Sequence, residues 1–311
     1  MLKYSLDAED LSYSISMEKL GALLLLCLST ATVIAHDESP FLEMTHPYNE
    51  NSLSYPGFPG FEFTIWDRGY SEKFGIYLES NGFCTPEHCG THMDAPAHFV
   101  QGKWRAHAVP LTSLIGNAVK VDIREKVARD VDAFLEIDDL ESWEETHGRI
   151  PDDVILMIDY GWAGRYGNKI LYFGTENDTS NMHFPGFHPD AARWVTENRK
   201  VKAIGVDTPS FDRGADMKFD SHLILFEHNI PVFENVANMD KLPATGATVF
   251  AIPMMIEDGS GAPLRVFATG WRPDVANPFS MRESVCDGQQ SVTNFNHSLL
   301  VIMISILFLF Q

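Results

Sequence analysis

Two rhythms of apolar and polar positions run along the chain. Short runs dense in Val, Ile and Phe stand at 61–66, 118–123, 154–158, 201–206, 248–252 and 265–268, each bounded by Gly, Pro or Asp. Runs of that length and composition predict β-strands. Longer amphipathic stretches predict helices over 131–146, 189–199 and 220–228. The second opens on Pro189, whose missing N–H costs nothing at a first helical position, and the third follows a Phe219-Asp220-Ser221 capping signal. Strands interleaved with helices predict an α/β fold with a mixed sheet and flanking helices. The segment 48–61, rich in Asn, Pro and Gly, reads as a loop entering the domain. No repeat, low-complexity tract or linker interrupts the chain between about residues 40 and 275, so 36–275 reads as one domain.

The two ends follow other rules. From Met17 a basic Lys19 precedes an apolar stretch and small residues near Ala31 and Ala35, the pattern of a secretory signal cleaved near His36; a buried core helix is the competing reading. Residues 1–35 are therefore set aside as extension and signal, with translation beginning at Met1 or Met17. At the other end Ser298 to Phe310 is uncharged but shorter than the roughly 20 residues a spanning helix needs. With the polar spacer and small residues before it, 276–311 reads as a GPI-attachment signal, or else a short uncleaved anchor. The sequence thus predicts passage through the secretory pathway and a cell-surface, GPI-anchored protein that meets the membrane only through this tail. Two further features fit that compartment. Asn177-Asp178-Thr179 is a glycosylation sequon on a loop, and Cys84 and Cys89 are close enough in sequence to pair.

Net charge changes the picture by exclusion. At −20, with a pI near 4.9 and no Lys/Arg cluster, the chain has no electrostatic footprint for nucleic acid.

The densest chemistry lies at His88-Cys89-Gly90-Thr91-His92-Met93-Asp94-Ala95-Pro96-Ala97-His98. His92 and Asp94 are two apart, so on an extended segment they face the same way. A turn at Gly90 lets His88 fold back toward them. Imidazole nitrogens with a carboxylate suit Zn²⁺ and, with more oxygen donors, Mn²⁺ or Fe²⁺. Pro96 ends the strand and turns the chain, which brings His98 near the metal without spending it as a ligand.

This string resembles the HxGTHxDxPxH signature of the cyclase family of metal hydrolases, which includes bacterial kynurenine formamidases and isatin hydrolases, and every fixed position is present. The resemblance continues through Ile204-Gly205-Val206-Asp207-Thr208-Pro209-Ser210, through Ser221-His222-Leu223 and Ile230-Pro231-Val232-Phe233-Glu234-Asn235, and through 259–265. It implies a single cyclase-like domain of the swivelling β/β/α type. It also implies that His88, His92 and Asp94 hold one divalent ion, Zn or Mn, and that His222 holds a second, with Asp94 and Glu234 available to bridge; one or two ions are expected. His98 would be the proton donor and acceptor. The roles of His222 and Glu234 rest on the resemblance alone, since a His opening a helix and a Glu ending a strand are ordinary surface residues.

The implied activity is amide hydrolysis of a small aromatic amide, either N-formylkynurenine or, in the alternative, a cyclic amide such as isatin. A bound metal makes water nucleophilic near neutral pH, and an imidazole such as His98 is suited to hand a proton to the leaving nitrogen. The chain has no GxSxG elbow to support a serine route. A non-catalytic extracellular metal- or ligand-binding protein is the alternative of another class. Formamidases carry a Trp before a Pro-Gly in the entry loop, whereas here the string is Tyr55-Pro56-Gly57, which makes Tyr55 the candidate substrate-facing ring. Cys84 and Cys89 straddle His88, and the open readings are a disulfide, a Cys89 that competes for metal, or two inert thiols. Family members commonly form dimers or tetramers, so a homo-oligomer is expected.

Overall fold

A computed structural model describes residues 39–272. The predicted signal segment and the predicted GPI-attachment tail lie outside the described residues.

Twelve strands are present among the described residues: β1 (Phe41–Glu43), β2 (Glu62–Ser71), β3 (Ile76–Cys84), β4 (His92–Asp94), β5 (Ile115–Asp122), β6 (Phe134–Leu135), β7 (Val154–Asp159), β8 (Gly186–Phe187), β9 (Val201–Val206), β10 (Val232–Glu234), β11 (Thr248–Pro253) and β12 (Gly261–Thr269). The longer helices are α1 (Ile137–His147), α2 (Pro189–Asn198) and α3 (Asp220–Glu227). Eight strands form one mixed sheet in the order β1-β12-β11-β5-β7-β9-β10-β4. The run β5-β7-β9-β10 is parallel, and the flanking pairs are antiparallel. Short β4 pairs with β10 on one side and β12 on the other, which curls the sheet back on itself. This is the mixed α/β single domain that the sequence predicts, and all six predicted strands occur.

The central strand shows why. In β7, Val154, Leu156 and Ile158 enter one apolar core while Ile155 and Met157 enter a second on the opposite face. A continuous apolar run is what a parallel strand covered on both sides requires.

Two local expectations are corrected. The helix predicted over 131–146 begins only at Ile137. There the Glu136 side chain accepts from the Asp139 N–H while the Asp139 carboxylate accepts from the Glu136 N–H, a reciprocal cap that fixes the start. The residues before it include β6, which pairs with β8. The capping signal ahead of α3 also works differently from expectation, because Phe219, in left-handed backbone at φ 55, makes no side-chain cap. Asp212 caps the helix instead, accepting from the Ser221 and His222 N–H groups at 2.9 and 3.2 Å.

The strand predicted at 61–66 extends as β2 to Ser71 through a bulge at Trp66, and pairs with β3 in a long hairpin that the sequence did not predict. Trp66 lies over Gly82, where any Cβ would come within 2.4 Å of the indole. Phe63, Ile65, Trp66, Tyr70, Tyr77 and Phe83 all remain exposed along this hairpin.

Candidate metal centre

The strand that closes the sheet carries the chemistry. His92 and Asp94 are the first and last residues of β4, so both side chains leave the same face. Glu234 is paired with His92 across the β4–β10 ladder, which puts its carboxylate on that face as well. His222 reaches the same point from the first turn of α3. His88 arrives through a tight turn at Gly90, whose φ of 60 and 3.0 Å clearance from the Tyr48 ring leave no room for a side chain.

The resulting cluster is compact. Asp94 Oδ1 lies 2.6 Å from His88 Nδ1 and 3.1 Å from His92 Nε2, and Oδ2 lies 3.4 Å from His222 Nε2. Glu234 faces His222 Nε2 at 3.1 Å and His92 Nε2 at 3.4 Å. Two overlapping sets, His88 with His92 and Asp94, and Asp94 with His222 and Glu234, each bring their donor atoms within 4.8 Å of one another. Asp94 belongs to both.

The donor chemistry fits divalent cations. His92 donates its Nδ1–H to the Gly90 carbonyl at 2.9 Å, and His222 Nδ1 is 2.5 Å from Asp212. Each ring therefore turns Nε2 toward the buried carboxylates of Asp94 and Glu234. Burial opposes protonation of His92, yet hydrogen bonding to Asp94 and Glu234 outweighs it and pushes the imidazole up to about 10. His222 is raised well above the usual imidazole range for the same reason, with Asp212 the strongest partner against the effect of burial. Burial also works against ionising Asp94, but its contact with His88 and a hydrogen bond from His222 hold its carboxyl well below the ordinary value. A site that draws positive charge this strongly suits a cation with open imidazole nitrogens around it.

His98 belongs to neither donor set. A turn of 3-10 helix, Pro96–His98, folds it back so that its ring stacks on His88 at 3.9 Å. Burial lowers its imidazole to about 4, so it is neutral near pH 7 and free to accept a proton. The cluster forms the floor of a cavity of about 350 Å³ walled by Leu53, Tyr55, Phe58, Phe99, Phe173 and Phe219. Tyr55 is in this wall, its ring edge-on to Phe173 and its hydroxyl 4.0 Å from Met217 Sδ; burial and the nearby Glu234 charge push the phenol up to about 12.

The structure thus brings together all seven residues named from the sequence. Cys84 and Cys89 are not bonded to each other. Cys84 is exposed at the end of β3 and Cys89 is fully buried behind the Gly90 turn, and neither joins a donor set. Asn177 of the sequon is exposed. His188 caps α2 by accepting from the Asp190 N–H. Sequence reasoning missed Asp212, Glu87, Ser260 and Asn235. Asn235 donates to the Gly90 carbonyl at 2.8 Å and accepts from the Tyr172 hydroxyl at 2.8 Å, and so ties the two ligand loops together. Its position beside Glu234 was the only available signal; Asp212 carried none.

Residues 42–213 match the family described as "Putative cyclase". That span includes His88, His92, Asp94 and His98 and ends before His222. The chain is 31% identical over 202 residues to an isatin hydrolase of Roseibium aggregatum, a match covering 62% of this chain and 76% of the relative. It is 25% identical over 230 residues to a kynurenine formamidase of Bacillus cereus, covering 73% and 96%. Among solved structures, an isatin hydrolase bound to the product analogue thioisatinate superposes with a TM-score of 0.67 at 26% identity, covering 82% of this chain and 98% of that one.

Proposed function

The chain belongs to the cyclase family of metal-dependent hydrolases, and from that premise we propose that it hydrolyses the C–N bond of a small aryl amide. The observation that carries this reading is the aromatic cavity floored by the two overlapping His/Asp/Glu sets with the neutral His98 beside them. Ring-opening of a cyclic aryl amide such as isatin is the first substrate to test, because the relative at 31% identity is an isatin hydrolase. Deformylation of N-formylkynurenine is the second reading, supported by the likeness to the Bacillus enzyme.

In this reading His88, His92 and Asp94 hold one divalent ion, Zn or Mn, and Asp94, His222 and Glu234 hold another. The ions supply Lewis acidity toward the amide carbonyl and lower the pKa of water. The protein's own residues do the rest. Phe99, Phe173, Phe219 and Tyr55 sandwich the aryl ring and exclude bulk water. His98 accepts a proton from the attacking water and returns it to the leaving nitrogen, which its neutral state at pH 7 permits.

The remaining expectations complete the proposal. The exposed aromatic hairpin of β2 and β3 supports a homo-oligomer, since a lone two-stranded hairpin with apolar residues on both faces is marginal in water. Secretion and lipid anchoring rest on the two terminal patterns, with the exposed Asn177 of the sequon in accord. The test of the activity is turnover of isatin and of N-formylkynurenine by the purified protein, followed by ultraviolet absorbance. Hydrolysis of either supports the reading, and turnover of neither with metal bound overturns the substrate class.

A further inference from the structure

His88 differs from the other two imidazoles in the cluster. His92 is oriented by a backbone carbonyl and His222 by a carboxylate, each through Nδ1. His88 points Nδ1 at Asp94, so the nitrogen available to orient it is Nε2. That atom lies 3.0 Å from Ser260 Oγ.

The direction of this hydrogen bond follows from what surrounds the serine. Ser260 Oγ is 2.7 Å from Glu87 Oε2. The same carboxylate oxygen accepts from the Ser260 N–H at 2.8 Å and the Gly261 N–H at 3.1 Å. An oxygen that already accepts from two N–H groups serves the hydroxyl as acceptor too, so the serine proton goes to Glu87. The serine oxygen is left as an acceptor, and its partner must be the Nε2–H of His88. Nδ1, 2.6 Å from Asp94 Oδ1, shares a proton with that carboxylate until a cation displaces it, and the proton kept on Nε2 then leaves the Nδ1 lone pair for the ion. The local sequence is shaped around this chain of bonds. A Cβ at position 261 would come within 2.5 Å of His88 Cε1, and one at 259 within 3.0 Å of Glu87 Oε1. The segment Gly259-Ser260-Gly261 therefore presses the hydroxyl between acid and imidazole with no side chain to either side.

We propose that Glu87 and Ser260 are positioning residues that fix the Nε2–H tautomer of His88 and so present Nδ1 to the metal. The proposal rests on the metal reading of the site given above. Partners that orient a ligating imidazole are worth about 10–100-fold in metal affinity, and that is the effect the relay should carry. Glu87 is adjacent to His88 in sequence while Ser260 immediately precedes β12, so the relay also ties the ligand loop to the strand that pairs with β4.

The experiment measures Zn²⁺ dissociation constants by chelator competition for the wild type, Ser260→Ala, Glu87→Ala and Glu87→Gln, with thermal unfolding to confirm that each folds. Ser260→Ala and Glu87→Ala should weaken binding by about 10–100-fold. Glu87→Gln should recover most of the loss, because its amide oxygen can still accept from the two N–H groups and the hydroxyl. In the Zn²⁺-loaded wild type a ¹⁵N-resolved spectrum should show a protected Nε2–H on His88 that Ser260→Ala loses. Equal affinities in the wild type and the two alanine variants, or an Nδ1–H tautomer in the loaded protein, would overturn the relay while leaving the metal site intact. A wild type that binds no Zn²⁺ would instead overturn the metal reading, and the relay with it.

Discussion

Glu234 stands directly across the β4–β10 ladder from His92, with its carboxylate 3.4 Å from the His92 Nε2 and 3.1 Å from that of His222. One acidic side chain at the end of a three-residue strand thus couples the local ligand loop to a helix more than a hundred residues away. Replacing Glu234 with Ala should lower the affinity of the Asp94–His222 set by at least the roughly 10–100-fold that losing a supporting partner costs. Metal analysis after dialysis should show the stoichiometry fall relative to wild type. An unchanged metal content would remove Glu234 from the site.

His98 separates chemistry from metal binding. Because it lies in neither donor set, His98→Ala should keep the wild-type metal content. Turnover should fall by about 10²–10⁴-fold, the range for losing a general acid–base group. Parallel loss of metal would show that His98 is a ligand after all.

His46 provides a pH dependence of stability that is separate from the ligands. Its ring stacks on Tyr166 at 3.8 Å, and burial lowers its imidazole to about 4, against 6.5 in the unfolded chain. Above pH 6.5 both states are neutral and the group is silent. Between 6.5 and about 4 the unfolded chain takes up a proton that the folded protein refuses, so stability falls as pH falls, by about 3.5 kcal/mol at most at roughly 1.4 kcal/mol per unit. His46→Phe keeps a stacked ring and removes the titration. Urea unfolding of both proteins at pH 7, 5.5 and 4.5 should show the wild type losing more stability than the variant; parallel slopes would refute the assignment.

The exposed hairpin predicts an assembly. Phe63 and Phe83 face each other across β2 and β3, both about half exposed. Phe63→Glu with Phe83→Glu should shift the mass seen by light scattering from an oligomer toward the monomer, with little change in metal content. A wild type that is already monomeric would dismiss this role for the hairpin.

What could be read from the sequence follows the range of the forces involved. His88, His92, Asp94 and His98 were legible because they are local, with period-two alternation, one glycine turn and one proline deciding where they point. The apolar run of β7 was legible because burial on both faces leaves no polar position. His222 and Glu234 needed a resemblance, since nothing local says that β10 will pair with β4. Asp212 and the Glu87–Ser260 pair were invisible because an acid or hydroxyl that orients a ligand looks like any other until the fold brings the two together. The start of α1 was misread because apolar periodicity continues through 131–136, while the reciprocal cap of Glu136 and Asp139 decides the boundary. The hairpin escaped because its exposed aromatics break the alternation that marks a half-buried strand.

The most direct test of the central claim is metal content and turnover measured together on the wild type and Asp94→Ala. Asp94 is the residue shared by both donor sets. Wild type should carry bound divalent metal and hydrolyse an aryl amide, and Asp94→Ala, still folded by its thermal transition, should lose both. A well-folded wild type that takes up neither zinc nor manganese would contradict the account at its foundation.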